Sequence, residues 1–103
     1  MNKQNRKPRS AEMYKAILSL ATLEECMDFF DDLCTVKELQ DMAQRFDTAI
    51  LLSRGYSYQK ISEAVSISTA TISRVNRCLS YGAGGYKAAI ARMAETETGH
   101  DDQ

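Results

Sequence analysis

Residues Tyr58 to Arg77 constrain the fold more than any other stretch of the chain. They read Tyr-Gln-Lys-Ile-Ser-Glu-Ala-Val-Ser-Ile-Ser-Thr-Ala-Thr-Ile-Ser-Arg-Val-Asn-Arg. Ile61 and Val65 stand four apart, the repeat of one helical face, and Ile72, Val75 and Leu79 mark one face of a second helix. Between them, Ile67 can plug a tight turn at Ser66. Ser57 and Ser68 stand just before the two helices, where a side-chain oxygen can accept from an orphan backbone N–H. Ser62 supplies the small side chain that a close crossing needs beside Ile61. Two short helices joined in this way share one small interior, so the spacing predicts a helix-turn-helix over about residues 58–79.

The rest of the chain keeps the same three- and four-residue rhythm. Met13, Ile17, Leu18 and Leu20 give a first helix from an N-cap at Ser10 to about Ala21. Thr22-Leu23-Glu24-Glu25 is a capping box that opens a second helix. Its stripe is Leu23, Cys26, Met27, Phe30, Leu33 and Cys34, widened by Phe29. Thr35-Val36-Lys37-Glu38 repeats the box for a third helix, carried by Leu39, Met42, Ala43, Phe46, Ala49, Ile50 and Leu52 to about Ser53. Gly55 then stands where a helix ends in a left-handed residue. A last helix is expected from about Gly85 to Ala94. No segment alternates apolar and polar residues long enough for a strand. The fold class is all-α with six helices. The organisation is a basic disordered arm over 1–9, a helical domain over 10–95 and an acidic disordered tail over 96–103.

Charge divides along the chain in a way the total hides. The net charge of −1 looks wrong for a partner of nucleic acid. Residues 1–10, however, carry Lys3, Arg6, Lys7 and Arg9 and no acid. Residues 11–53 hold nine acidic against three basic residues, a net −6, whereas residues 54–92 set Arg54, Lys60, Arg74, Arg77, Lys87 and Arg92 against Glu63 alone, a net +5. A polyanion responds to the surface within a Debye length, about 8 Å at physiological salt. The helix-turn-helix is therefore locally basic, and the acidic half reads as a surface turned away from nucleic acid.

The outward face of the second helix of the pair is Thr69, Ala70, Ser73, Arg74 and Arg77. Small and hydroxyl-bearing side chains let a helix enter a major groove, and arginines reach base edges or phosphates. With Ser68 at the helix start and Lys60 on the preceding helix, these residues predict binding to double-stranded DNA and transcriptional regulation, with repression as the expected sign. The same motif also serves as a protein-interaction module acting on another regulator. A small-molecule-responsive repressor is a third reading of these residues. No nucleophile with a base and an orienting partner is visible, so an enzyme is not expected. Helices one to three are rich in large apolar residues and a chain of 103 residues has limited interior to hide them, which favours a homodimer over a compact monomer.

Other features read as scaffold. Cys26, Cys34 and Cys78 are odd in number and lack paired spacing, so they are expected as buried reduced thiols. Without a Cys-x-x-Cys, and with the one histidine, His100, in the polar tail, no metal site is expected. Tyr81-Gly82-Ala83-Gly84-Gly85-Tyr86 follows a helix rather than a strand. It reads as a flexible connector with Tyr81 and Tyr86 packed around it. No apolar run approaches the roughly 20 residues of a membrane span, and the N-terminus lacks the apolar stretch of a signal peptide, so a cytoplasmic location without a membrane partner is expected.

Between Leu20 and Tyr86 the chain resembles the Trp repressor superfamily, and within it the YerC/YecD-type branch. The resemblance rests on Phe29-Phe30-Asp31-Asp32-Leu33-Cys34-Thr35, Ala43-Gln44-Arg45-Phe46, Leu51-Leu52-Ser53-Arg54-Gly55 and Ser68-Thr69-Ala70-Thr71-Ile72-Ser73-Arg74. It implies an intertwined all-helical homodimer that lays two reading helices in successive major grooves. It also implies a ligand pocket, in which Arg45 and Arg74 fall where two arginines sandwich an indole and Thr35 falls at the edge. Val75 stands where the repressor has a glycine, and Cys78 where it has a serine that meets the ligand's ammonium. A branched side chain crowds an indole and a thiol is a poor hydrogen-bond partner. These departures tell against tryptophan as corepressor. No cofactor is expected, and the identity of any effector stays open.

Overall fold

The computed structural model of the protein describes residues 11–101, and side chains as far as Thr96. The expected basic arm 1–9, the Ser10 cap and the last two residues of the tail lie outside the described residues. Among the described residues all regular structure is helical: α1 (Ala11–Ser19), α2 (Leu23–Leu33), α3 (Val36–Ser53), α4 (Tyr58–Val65), α5 (Thr69–Tyr81) and α6 (Gly85–Asp101). No helix among them is long and apolar enough to cross a membrane. They form two compact units that divide within α3, after Met42.

The first unit holds α1, α2 and the start of α3. Helix α1 ends at Ser19, short of the expected Ala21, because the next residues are taken up in starting α2. Thr22 is extended (φ −129°, ψ 161°), and its hydroxyl accepts from the Glu25 amide at 3.1 Å. Glu25 reaches back one residue further than the box predicts, accepting from the Ala21 amide at 3.1 Å. The box at α3 is reciprocal. The Glu38 amide donates to Thr35 Oγ1 at 3.1 Å, and Glu38 Oε1 accepts from the Thr35 amide at 2.8 Å. Thr35 holds the Glu38 carboxyl below its ordinary range, through its backbone amide first and its hydroxyl second. Phe29 and Phe30 meet edge to face, ring centroids 5.5 Å apart. No residue of 11–42 is buried. Leu18 is 85% exposed, Leu23 77% and Val36 73%.

The second unit holds the rest of α3 with α4, α5 and α6, and it contains the buried core. Ala49, Ile61, Ile72 and Val75 are enclosed, together with Thr48, whose hydroxyl donates to the Gln44 carbonyl at 2.7 Å. Helix α3 stops in paired carbonyl bonds: the Gly55 amide donates to Leu52 and the Tyr56 amide to Leu51, at 3.0 and 3.1 Å. Gly55 carries φ +85°, the left-handed conformation expected of it. Helix α4 packs on α5 and α5 on α6, and the rings of Phe46 on α3 and Tyr86 on α6 lie near-parallel with centroids 6.3 Å apart.

The structure departs from the sequence expectations at α6, at the thiols and at the glycine segment. Helix α6 runs to Asp101 rather than Ala94: Glu95-Thr96-Glu97-Thr98 contains no helix breaker, and the helix carries on through Gly99. The thiols are not buried: Cys26 and Cys34 are half-buried and Cys78 is exposed. Apolar faces keep a thiol from water only when something covers the face. Tyr81 is the last residue of α5 and 80% exposed, so it does not pack around the glycine segment, although Tyr86 does meet Phe46. Gly82 is not a flexible link either. It caps α5 with its amide on the Cys78 carbonyl at 2.8 Å, and a Cβ there would collide with that same carbonyl oxygen.

Candidate nucleic-acid interface

The candidate surface is built on α4, a three-residue turn and α5. Ser57 caps α4, its hydroxyl accepting from the Lys60 amide at 3.2 Å. Ile61, one turn in, is fully buried, which turns Lys60 to solvent. Helix α4 closes on Ser66, whose amide donates to the Ser62 carbonyl at 3.0 Å. Ser66 sits at φ 57°, ψ 50°, a left-handed conformation that the sequence would more usually assign to glycine.

Ser68 then starts α5. Its hydroxyl accepts from the Thr71 amide at 3.2 Å and lies 3.0 Å from the Thr71 hydroxyl. The Ser68 carbonyl takes the Ile72 amide at 3.0 Å, the first turn of the helix. Ile72 and Val75 face the core, and helical geometry therefore turns the intervening positions outward. Thr69, Ala70, Ser73, Arg74 and Arg77 are all exposed, as are Lys60 and Ser68. The seven residues read from the sequence as DNA contacts thus share the solvent side of one helix pair. Ser68 differs from the others in that its hydroxyl is engaged in capping.

The residues of the implied ligand pocket fare differently from one another. Thr35 is spent on the cap of α3, in the first unit. In the second unit Arg45, Arg74 and Cys78 are exposed, and Val75 is only 2% exposed, packed in the core with Ile61 and Ile72.

Two further side chains act on the turn. The Ser62 hydroxyl donates to the Ile67 carbonyl at 2.8 Å, and Gln44 on α3 donates through Nε2 to the Val65 carbonyl at 3.4 Å. The sequence marks Ser62 for its size alone and Gln44 only as part of a motif. Nothing in spacing tells which carbonyl a hydroxyl or an amide will find.

A capped helix pair with a small-residue, arginine-bearing outer face on an all-helical chain is the architecture of helix-turn-helix DNA-binding regulators. Over residues 10–94 the sequence matches the family described as Trp repressor protein. It is 53% identical over 87 residues to YerC of Bacillus subtilis (strain 168), a match covering 84% of each chain. Among solved structures, a candidate Trp repressor from Staphylococcus aureus superposes with a TM-score of 0.78 at 46% identity, covering 82% of this chain and 84% of that one. A TrpR-like protein from Eubacterium eligens ATCC 27750 gives 0.82 at 42% identity, covering 90% and 96%. The chain belongs to the Trp repressor family, whose members are DNA-binding regulators rather than enzymes.

Proposed function

We propose that this chain binds specific sequences of double-stranded DNA as a cytoplasmic homodimer and represses transcription, with α5 as the reading helix. The observation that carries the reading is the outer face of α5. Thr69, Ala70 and Ser73 are exposed at its N-terminal end, where a helix laid in the major groove meets base edges. Lys60 and Arg77 are exposed on the same pair of helices and suit phosphate, and Arg74 is exposed beside them. The homodimer is supported by the first unit, where Tyr14, Leu18, Leu23, Met27, Leu33, Val36 and Met42 are all exposed in a single chain. A second copy would cover them, and a two-fold dimer would offer two reading helices to one duplex.

The reading also dispenses with tryptophan. Val75, which stands where the resemblance puts a glycine, fills the core beside Ile72, and Cys78 replaces a serine. Binding of DNA is expected without a corepressor, and millimolar L-tryptophan is expected to leave the melting temperature unmoved.

The test is selection of bound duplexes from a random pool, paired with sedimentation of the free protein. A palindromic consensus and a dimer at micromolar concentration are the expected results. Replacing Ala70 by Leu should alter the selected sequence, at about 1–3 kcal/mol per affected base contact. Arg77→Ala should weaken all duplexes alike and reduce the salt slope by about one. If both variants bind as wild type on every duplex, α5 does not read DNA and the protein-interaction reading replaces this one.

A further inference from the structure

The turn between α4 and α5 cannot hold its shape through backbone preference alone. Ser66 occupies a left-handed conformation that is unfavourable for an L-residue by roughly 1–2 kcal/mol. The Val65 carbonyl before it is an orphan as well, because the last residues of a helix have no onward amide to meet. Ile67 lies outside both helices, so its carbonyl has no place in either helical ladder. Side chains meet both. Ser62, half-buried on α4, sends its hydroxyl to the Ile67 carbonyl on one side of Ser66, at the ordinary 2.8 Å separation of a well-formed hydroxyl bond. Gln44 reaches the Val65 carbonyl on the other side at a longer 3.4 Å. Ile67 directly precedes Ser68, the residue that caps α5. Whatever fixes the Ile67 carbonyl therefore fixes where α5 begins, and with it the exposed Thr69 and Ala70.

We propose that Ser62 is a positioning residue for the reading helix: its bond to Ile67 sets the placement of the N-terminal end of α5, and Gln44 braces the same turn more weakly. This rests on the reading of α5 as the DNA-contacting helix. Recognition of base edges needs side chains held within about 0.5 Å of their working geometry, whereas attraction to phosphates tolerates looser placement. Loss of the clamp should therefore reduce discrimination between sequences and leave general affinity for DNA in place. Ser62 is not part of the fully buried core, so its hydroxyl can be removed without opening a cavity among Ile61, Ile72 and Val75.

The experiment compares wild type, Ser62→Ala and Ser62→Thr in the full-length protein. Each is titrated against the duplex that wild type selects from a random pool and against a scrambled duplex, at several salt concentrations. Amide hydrogen exchange is followed in the same samples. Ser62→Ala should weaken binding to the selected duplex by about 3- to 10-fold, the worth of one hydrogen bond. Binding to the scrambled duplex and the salt slope should not move. Exchange should quicken at Thr71 and Ile72 but not at Ala49 in α3. Ser62→Thr, which keeps the hydroxyl, should restore the discrimination. Unchanged exchange or equal losses on both duplexes would overturn the proposal. A wild type with no preference between duplexes would instead strike the DNA reading itself, before any variant is made, and the proposal would fall with it.

Discussion

The two units of this chain follow one rule of sequence and reach different ends. Residues 11–42 and residues 43–96 both place apolar side chains at three- and four-residue steps on capped helices. In the second unit these side chains close over one another, with Ile61, Ile72 and Ala49 withdrawn completely from solvent. In the first unit none is buried, and Leu18 and Leu23 are as open as polar residues. Amphipathic periodicity thus specifies a helix and its sticky face, and says nothing about whether that face meets the same chain or another. A core that closes within one chain gives α5 a base of its own. A face left open is what the proposed second copy would cover.

The largest expected effect breaks this comparison at its core. Ile61→Ala should cost about 2–5 kcal/mol, because it empties a fully buried site between α4 and α5. Its cost should be the same at every protein concentration. Leu18→Asp, on α1, should do nothing to the packing of the second unit and should lower the melting temperature through weakened association, so its effect should shrink as protein is diluted toward dissociation of the wild type. Thermal unfolding over a hundredfold range of concentration separates the two. A concentration-independent loss for Leu18→Asp would mean that the first unit closes on its own chain.

Much of this was legible in the sequence. Both Thr-x-x-Glu boxes, the serine caps at Ser57 and Ser68 and the left-handed Gly55 occur where spacing put them, since each is a local arrangement within a few residues. The outer face of α5 was legible for the same reason: once Ile72 and Val75 point inward, the exposure of Thr69, Ser73 and Arg77 follows from the helical turn. What escaped depends on contacts between elements. The openness of Cys78 and Tyr81 and the bonds from Ser62 and Gln44 to the turn are set by which surfaces meet, and a one-dimensional pattern does not carry that information.

A smaller effect sharpens the comparison at the chain reversals of the second unit. Gly55 and Ser66 share the left-handed conformation, at φ +85° and φ 57°. A Cβ on Gly55 would meet nothing within 4 Å, so the backbone alone decides the cost of adding one. Gly55→Ala should destabilise by about 1 kcal/mol, and Ser66→Gly should stabilise by up to about the same amount, reduced by the extra freedom glycine brings to the unfolded chain. Denaturant midpoints measure both. A Ser66→Gly variant that is less stable than wild type would show that the serine side chain contributes more at the turn than its strained backbone costs.

The smallest effect lies in the first unit, at the cap of α3. Glu38 is exposed, and its carboxyl is held below the ordinary range by the Thr35 amide first and the Thr35 hydroxyl second. A carboxyl whose folded value is depressed adds stability in full above its unfolded value and loses it as pH falls through the folded value. Acidification should therefore weaken the start of α3, and the loss should sit within the acidic range of carboxylates, leaving neutral pH untouched. Glu38→Gln keeps an oxygen that can accept from the Thr35 amide but cannot ionise, so it should be slightly less stable than wild type at neutral pH and should converge with it in acid. Solvent screening at this exposed site keeps the difference small, and amide exchange at Thr35 and Glu38 reads it more directly than global unfolding does. If the variant and wild type respond to acid in parallel at those two amides, the reciprocal box does not draw on the charge of Glu38. The cap would then rest on the Thr35 hydroxyl, as the caps of α4 and α5 rest on Ser57 and Ser68.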